Sequence, residues 1–117
     1  MTVPEPGELY WVHAGSERPR PYIVVSRRVL NRGDYVVVVP LTSSDLDRRW
    51  HLPNAVPFCA GQFNLPKDCV AQCEGITYVE KEALDLATGP FARLTEEVWR
   101  DLVRAIGNVI CAECEPA

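Results

Sequence analysis

Arginines cluster in one part of the 117-residue sequence, and this residue type is suited to binding phosphate or carboxylate groups. Residues 17–50 hold seven arginines against four acidic residues. A guanidinium group is always charged, and its planar fork can pair with two oxygens at once. This stretch therefore indicates an anion-binding surface, with an ordinary solvated face as the alternative.

Proline fixes the local structure around one of these arginines. Pro19 and Pro21 flank Arg20. Each proline lacks a backbone N–H group and pushes the preceding residue into extended geometry. Residues 15–21 are therefore predicted to form a loop that presents arginines.

Other residue types could transfer protons or bind a metal ion. Histidine is the type whose ordinary pKa suits proton transfer near neutrality, and the chain has His13 and His51. Two cysteine pairs could supply four thiolates to zinc, but their spacings lack the tight Gly-rich knuckles of structural zinc sites. The odd number of cysteines and the lack of a secretory signal predict a reduced, cytoplasmic setting. No cofactor is expected. The four cysteines of these pairs are Cys69, Cys73, Cys111 and Cys114.

Several short β-rich runs and one amphipathic helix must position these groups. Thr95 is a predicted N-cap, and apolar residues from Trp99 to Ile110 recur at helical spacing. The pattern predicts an α+β fold, in which a small barrel or curled sheet is plugged by that helix. One domain is predicted over residues 1–117, with flexible ends at 1–6 and 112–117. The predicted strands are Leu9–His13, Tyr22–Ser26, Asp34–Val39, Arg49–Leu52 and one or two within Asp68–Tyr78, with a turn at Arg27–Asn31 and irregular structure over Pro53–Pro66.

Charge and hydropathy exclude two classes of protein. The formal net charge of −4 argues against a protein that coats nucleic acid without selectivity. The acidic residues lie mainly in residues 68–117, so the average conceals a local basic segment. No run of about 18 apolar residues occurs, so no membrane-spanning segment is expected.

Short motifs in a fixed order resemble the MazF/PemK toxin family, which shares its fold group with the CcdB toxins. The resemblance extends from Gly7 to about Ile110. The motifs are Gly7-Glu8-Leu9-Tyr10-Trp11, Arg20-Pro21-x-x-Val24-Val25-Ser26, Leu30-Asn31-Arg32, Val38-Val39-Pro40-Leu41-Thr42-Ser43, Leu65-Pro66-Lys67-Asp68-Cys69-Val70 and the terminal helix.

This resemblance implies a fold, an activity and partners. The implied fold is an SH3-like or CcdB-like β-barrel of five to seven mostly antiparallel strands with a C-terminal helix, assembled as a homodimer. The implied activity is metal-independent cleavage of single-stranded RNA, in which the ribose 2′-hydroxyl attacks phosphorus and leaves a cyclic phosphate and a 5′-hydroxyl. The implied partner is a cognate MazE-like antitoxin with an acidic, apolar tail, for which residues 17–50 are a reasonable binding surface.

The same resemblance assigns roles to individual residues. Arg20 would stabilise the charge of the reacting phosphate, Thr42 would donate a hydrogen bond to it, and Glu74 could accept the 2′-hydroxyl proton. The implied RNA-binding residues are Arg18, Arg27, Ser43, Gln72 and Thr77.

The chain also departs from the family pattern. Gln72 occupies a position where some PemK-type members have arginine, and loop 15–21 is about two residues shorter than usual. These departures leave open a non-cleaving relative that binds RNA or a protein target. The cysteines leave open a second alternative, a zinc-stabilised interaction module.

Overall fold

A computed structural model describes residues 3–13 and 18–110, which form a curled antiparallel sheet with a helix against one face. The sheet order is β4-β5-β3-β2-β1-β7, and β6 pairs with β3 outside this path. The predicted α+β class, a curled sheet with a C-terminal helix, is confirmed. The strands are β1 Glu8–Val12, β2 Arg20–Val24, β3 Tyr35–Thr42, β4 Ala55–Phe58, β5 Cys69–Gln72, β6 Thr77–Glu80 and β7 Ala92–Arg93.

Helices are few in the described part of the chain, and only the last one is long. Its 12 residues are too few to cross a bilayer, and none of the described helices is long and apolar enough to do so. The predictions for residues 14–17, for Cys111 and Cys114, and for most of the two flexible ends fall outside the described residues. The α-helices are α1 Arg28–Asn31, α2 Leu46–Arg49 and α3 Glu96–Gly107, and single 3₁₀ turns occur at Gln62–Asn64, Cys73–Gly75 and Lys81–Ala83.

Strand β3 is longer than predicted because it continues through Pro40. Its partner on one side changes from β6, which pairs up to Val38, to β5, which pairs from Leu41 onward. Pro40 lies between these two partners and is paired only with Tyr22 of β2. A residue without an N–H group is tolerated at this point because no continuous ladder of hydrogen bonds passes through it. The extension carries the strand to Thr42.

The predictions for the middle of the chain are partly wrong. The predicted strand over Arg49–Leu52 is instead the end of α2 and a turn. The segment predicted to be irregular contains β4, in which Val56 and Phe58 are buried and Pro57 between them is exposed. This alternation is that of an edge strand, where proline is acceptable. The predicted turn over Arg27–Asn31 contains the single helical turn of α1, and β7 was not predicted.

Helix α3 begins as predicted but buries a narrower face than the sequence suggests. The side chain of Thr95 accepts a hydrogen bond from the Val98 backbone N–H at 3.3 Å, which satisfies one free donor of the first turn. Leu102 and Ala105 are buried against the sheet, whereas Val103 and Ile110, which the periodicity predicted on the same face, are exposed.

A buried asparagine connects α1 to the start of the chain. The side chain of Asn31 is fully buried, and its Nδ2 donates to the carbonyl oxygens of Pro4 and Ser26, each at 2.8 Å. Its Oδ1 accepts a hydrogen bond from the Ser26 hydroxyl. Both polar atoms of the amide are therefore hydrogen-bonded, and the bond to Pro4 holds the N-terminal segment against the sheet.

We expect Asn31→Ala to lower the free energy of unfolding by about 2 kcal/mol, because it leaves buried carbonyl oxygens without a donor. Urea unfolding monitored by tryptophan fluorescence measures the change. The neighbouring Arg32 is exposed, so Arg32→Ala is a matched control that should change the value by less than about 0.5 kcal/mol. Equal effects of the two variants would contradict a structural role for the amide.

Candidate active site

A cleft of about 550 Å³ opens at the end of the sheet where β2 begins and β3 ends. Its walls come from residues 18–21, 41–44 and 65–67, with Trp11 of β1 and Cys69 at the start of β5. These segments are far apart in sequence, and the sheet order β5-β3-β2-β1 brings them together. A groove at a sheet end that is partly apolar and has converging polar groups is the usual form of a ligand site.

The pairing of β2 with β3 positions two predicted site residues. Tyr22 lies opposite Pro40 and Ile23 opposite Val39, and Arg20 and Thr42 each lie two residues beyond the pair of Tyr22 and Pro40. Both side chains line the cleft. Alternate residues of a strand have their side chains on the same face, so Arg20 shares the face of Tyr22 and Thr42 shares that of Pro40. The fold therefore brings the guanidinium and the hydroxyl to one place.

The hydroxyl of Thr42 is positioned by the backbone of the turn that follows it. Its Oγ1 accepts a hydrogen bond from the Ser44 backbone N–H at 3.2 Å. A hydroxyl group has one hydrogen to donate besides its acceptor lone pairs. Because the backbone uses an acceptor site, the hydrogen stays available for a ligand in the cleft.

The charge of the cleft is entirely positive among its described lining residues. Arg18, Arg20 and Lys67 line it together with the hydroxyls of Thr42, Ser43 and Ser44, and no carboxylate does. Within residues 3–13 and 18–110, none of the three cations forms a salt bridge. Such a surface is complementary to a phosphate group, whose oxygens accept charged and neutral hydrogen bonds alike.

The structure places the remaining predicted residues elsewhere. Glu74 lies in a 3₁₀ turn, and its Oε1 accepts a hydrogen bond from Asn54 Nδ2 at 2.9 Å. Gln72 pairs with Ala55 of β4, and Thr77 is exposed opposite Val38. The cleft-lining residues include none of these three and do not include Arg27, which is exposed just before α1.

The two histidines occupy different surroundings. His13 lines a shallow depression next to the cleft. Trp11, Arg18 and Pro19 line both the depression and the cleft. His51 is exposed in the turn after α2. Of the two, His13 is therefore the nearer to the cationic cleft.

The buried cysteines are poorly suited to thiolate chemistry. Burial, with a smaller contribution from the charge of Asp68, raises the pKa of Cys69 to about 11. Burial also raises the pKa of Cys73 to about 11, with the charge of Glu74 adding to the effect. Both thiols are therefore protonated at neutral pH, and a metal ion would have to displace the protons. In the described ranges no three metal-binding side chains come together, and Cys111 and Cys114 lie outside those ranges.

Two lining residues, Trp11 and Lys67, were not predicted as site residues. Trp11 lies opposite Pro21 in the β1–β2 register, next to Arg20, and its ring stacks on Phe91 at a centroid distance of 4.9 Å. Side chains alternate between the two faces of a strand. If β1 had been predicted to pair with the arginine-bearing start of β2, this alternation could have identified Trp11. Lys67 belongs to a motif used for the resemblance, but only the sheet order shows that this motif borders the cleft.

Comparisons with known proteins identify the family of the chain. Residues 5–110 match the family of PemK-like, MazF-like toxins of type II toxin–antitoxin systems. A search of curated protein sequences gave no match.

Solved structures show the same fold at low sequence identity. An endoribonuclease in complex with its cognate antitoxin from a mycobacterial species superposes with a TM-score of 0.74 at 21% identity, covering 97% of this chain and 100% of that one. Mycobacterium tuberculosis toxin MazF-mt6 gives 0.70 at 21% identity, covering 87% and 94%. A MazE–MazF complex from Deinococcus radiodurans gives 0.72 at 17% identity, covering 93% and 96%. Since the family match spans nearly the whole sequence, the chain belongs to the PemK-like, MazF-like toxins of type II toxin–antitoxin systems.

Proposed function

We propose that this toxin is a metal-independent endoribonuclease that cuts single-stranded RNA at a short sequence. The observation that carries the proposal is that Arg20 and Thr42 line one cleft, whose described lining has cations and hydroxyls but no carboxylate. The description of a structural neighbour as an endoribonuclease supports the same reaction. The activity also fits the toxin family to which the chain belongs.

The reaction needs groups that stabilise charge on phosphorus-bound oxygens. The 2′-hydroxyl gives up its proton to solvent and its oxygen attacks the adjacent phosphorus. The bond from phosphorus to the 5′-oxygen breaks, and this oxygen takes up a proton from solvent, so the products end in a 2′,3′-cyclic phosphate and a 5′-hydroxyl. Negative charge grows on the non-bridging oxygens, where fixed donors have their largest effect. Arg20 supplies a charged fork there and Thr42 supplies a neutral donor. A guanidinium is always protonated, so Arg20 is suited to stabilising the negative charge through hydrogen bonds and is a poor proton acceptor.

Incubation of the purified protein with a long single-stranded RNA in EDTA tests the proposal. We expect cuts at one short sequence, 5′-hydroxyl and cyclic phosphate ends, and no cutting of DNA with the same sequence. Arg20→Ala, purified in the same way, identifies cutting by contaminating nucleases. No cleavage by the parent protein, with RNA binding or growth arrest retained, would indicate a non-cleaving toxin instead.

Glu74 is the proton acceptor that the family resemblance suggests, and its position allows a direct test. Its carboxylate contacts Asn54 and is not part of the cleft lining. We therefore expect Glu74→Gln, which keeps an oxygen to accept the Asn54 hydrogen bond, to retain kcat within about threefold. A base at this position would instead make the substitution cost about a hundredfold or more. A kcat loss of that size, with an unchanged unfolding midpoint, would establish Glu74 as the base.

Partners are part of the same proposal. We infer that the toxin binds an antitoxin, because structures of this fold have been solved as complexes with a cognate antitoxin or with MazE. We also infer a homodimer, which is what the family resemblance implies. An acidic, disordered tail that folds on binding would pair with the arginines of residues 17–50 and compete with RNA for the cleft. Such competition would couple antitoxin binding directly to inhibition.

A further inference from the structure

The third cation of the cleft, Lys67, lies on the other side of β3 from the two arginines. The segment from Leu65 to Cys69 leads into β5, and β3 separates β5 from β2 in the sheet. Thr42 at the end of β3 therefore lies between a wall that carries Arg20 and a wall that carries Lys67. A strand of RNA held at Thr42 would pass both walls.

The backbone around Lys67 is fixed by its neighbours. Leu65 and Cys69 are buried in the main core cluster, at 2% and 5% exposure. Asp68 is turned away toward another loop, where its Oδ1 accepts a hydrogen bond from the Ala60 backbone N–H at 2.7 Å. Lys67 itself is exposed in the cleft, and no described carboxylate forms a salt bridge with it. The backbone of Lys67 is thus held in place, while its ammonium group can contact a ligand in the cleft.

The charge of the cleft exceeds what one phosphodiester requires. A phosphodiester carries a single negative charge, and Arg20 with Thr42 supplies donors for it. The lining adds two more cations and no described carboxylate. Lysine is a flexible point charge without the planar fork that reads base edges, so it suits a backbone phosphate better than a base.

We propose that Lys67 binds a second phosphodiester of the RNA, adjacent to the one that is cut. This inference rests on the proposed endoribonuclease function and specifies its substrate. The shortest good substrate is then three nucleosides joined by two phosphates, since a dinucleoside monophosphate lacks the group that Lys67 binds. Lys67 acts on binding and leaves the chemistry to Arg20 and Thr42.

Lys67→Met removes the charge while keeping the length of the side chain. With an oligonucleotide that contains the mapped cut site, we expect KM to rise about three- to tenfold, while kcat stays within about twofold. For a non-cleavable analogue with a 2′-deoxy sugar at the cut site, the slope of log Kd against log salt should decrease by about 0.7, the value for one phosphate contact on a single strand. Lys67→Arg should restore most of the affinity. Arg100→Met is the matched control for net charge, because Arg100 is exposed on α3 and is not among the residues that line the cleft.

Neutral methylphosphonate linkages on either side of the cut site then locate the contact. At one of the two positions the substitution should weaken binding to the parent protein and have no further effect on Lys67→Met. Equal effects on both proteins at both positions, or an unchanged salt slope in Lys67→Met, would overturn the inference. If RNA binding shows the expected salt and methylphosphonate effects but the RNA is never cut, the proposed cleavage is wrong and the Lys67 contact stands. If the protein neither binds nor cuts RNA, both the cleavage and the Lys67 contact are refuted.

Discussion

Replacing Arg20 with alanine is expected to reduce kcat for RNA cleavage by about a hundred- to a thousandfold, which corresponds to about 2.7–4 kcal/mol of transition-state stabilisation. The charge on the non-bridging oxygens is largest in the transition state, so a donor aimed there contributes more to kcat than to KM. Arg20 lines the same cleft as Thr42 at the end of β3. Single-turnover cleavage of an oligonucleotide that contains the mapped cut site measures the effect.

Two further variants separate this role from general effects of charge or folding. Arg20→Lys keeps the charge but loses the planar fork, so its kcat should fall between those of the parent and of Arg20→Ala. Arg20 is exposed and forms no salt bridge with a described residue, so neither variant should shift the urea midpoint measurably. Arg100→Ala, at an exposed position of α3 that does not line the cleft, should cleave at the rate of the parent. Residual cleavage by Arg20→Ala equal to that of the parent would remove Arg20 from the mechanism.

The sequence predicts those elements best in which periodicity and local chemistry agree. The β-branched run of β3 and the capped amphipathic helix α3 are of this kind, and Thr95 caps α3 as expected. The burial of the helix is less predictable, because the same spacing that places Leu102 inside leaves Val103 half exposed at 49%. Which apolar residues are covered depends on where the helix meets the sheet.

The predictions fail where tertiary pairing overrides local signals. Pro40 was expected to end β3, but a change of partner strand lets the chain continue to Thr42. Strand β4 contains a proline and follows a helical turn, so its only local signal is the alternation of Val56 and Phe58 around Pro57. That signal is too short to outweigh the proline without knowledge that β5 lies beside it.

The candidate site was predictable in part for the same reason. Ordered motifs identify Arg20 and Thr42, and the fold places both in one cleft. Glu74 was suggested by its position in a motif, but the 3₁₀ turn that follows β5 directs it toward Asn54. Lys67 carries no distinguishing local pattern. Its place in the cleft depends on the order β5-β3-β2, which no short-range feature of the sequence specifies.

Replacing Leu102 with alanine is expected to lower the free energy of unfolding by about 3 kcal/mol, within the range of about 2–5 kcal/mol for buried leucines. The side chain is fully buried where α3 meets the sheet, in the same core cluster as Leu9, Ile23 and Val39. Removing its methyl groups takes apolar atoms out of this core and leaves a cavity that a rigid sheet cannot close. Urea unfolding at a fixed protein concentration measures the loss, since self-association would add a concentration dependence.

The adjacent Val103 provides the control, because its side chain is 49% exposed on the same helical turn. Val103→Ala should change the free energy of unfolding by about 0.5 kcal/mol or less. Leu102 is not among the residues that line the cleft, so the folded fraction of Leu102→Ala should cleave RNA with the kcat of the parent. Stability and cleavage would then respond to different residues, since α3 holds the sheet together while the end of the sheet carries the chemistry. If Leu102→Ala unfolded at the same urea concentration as Val103→Ala, or if its folded fraction lost kcat, this division between helix and cleft would be wrong.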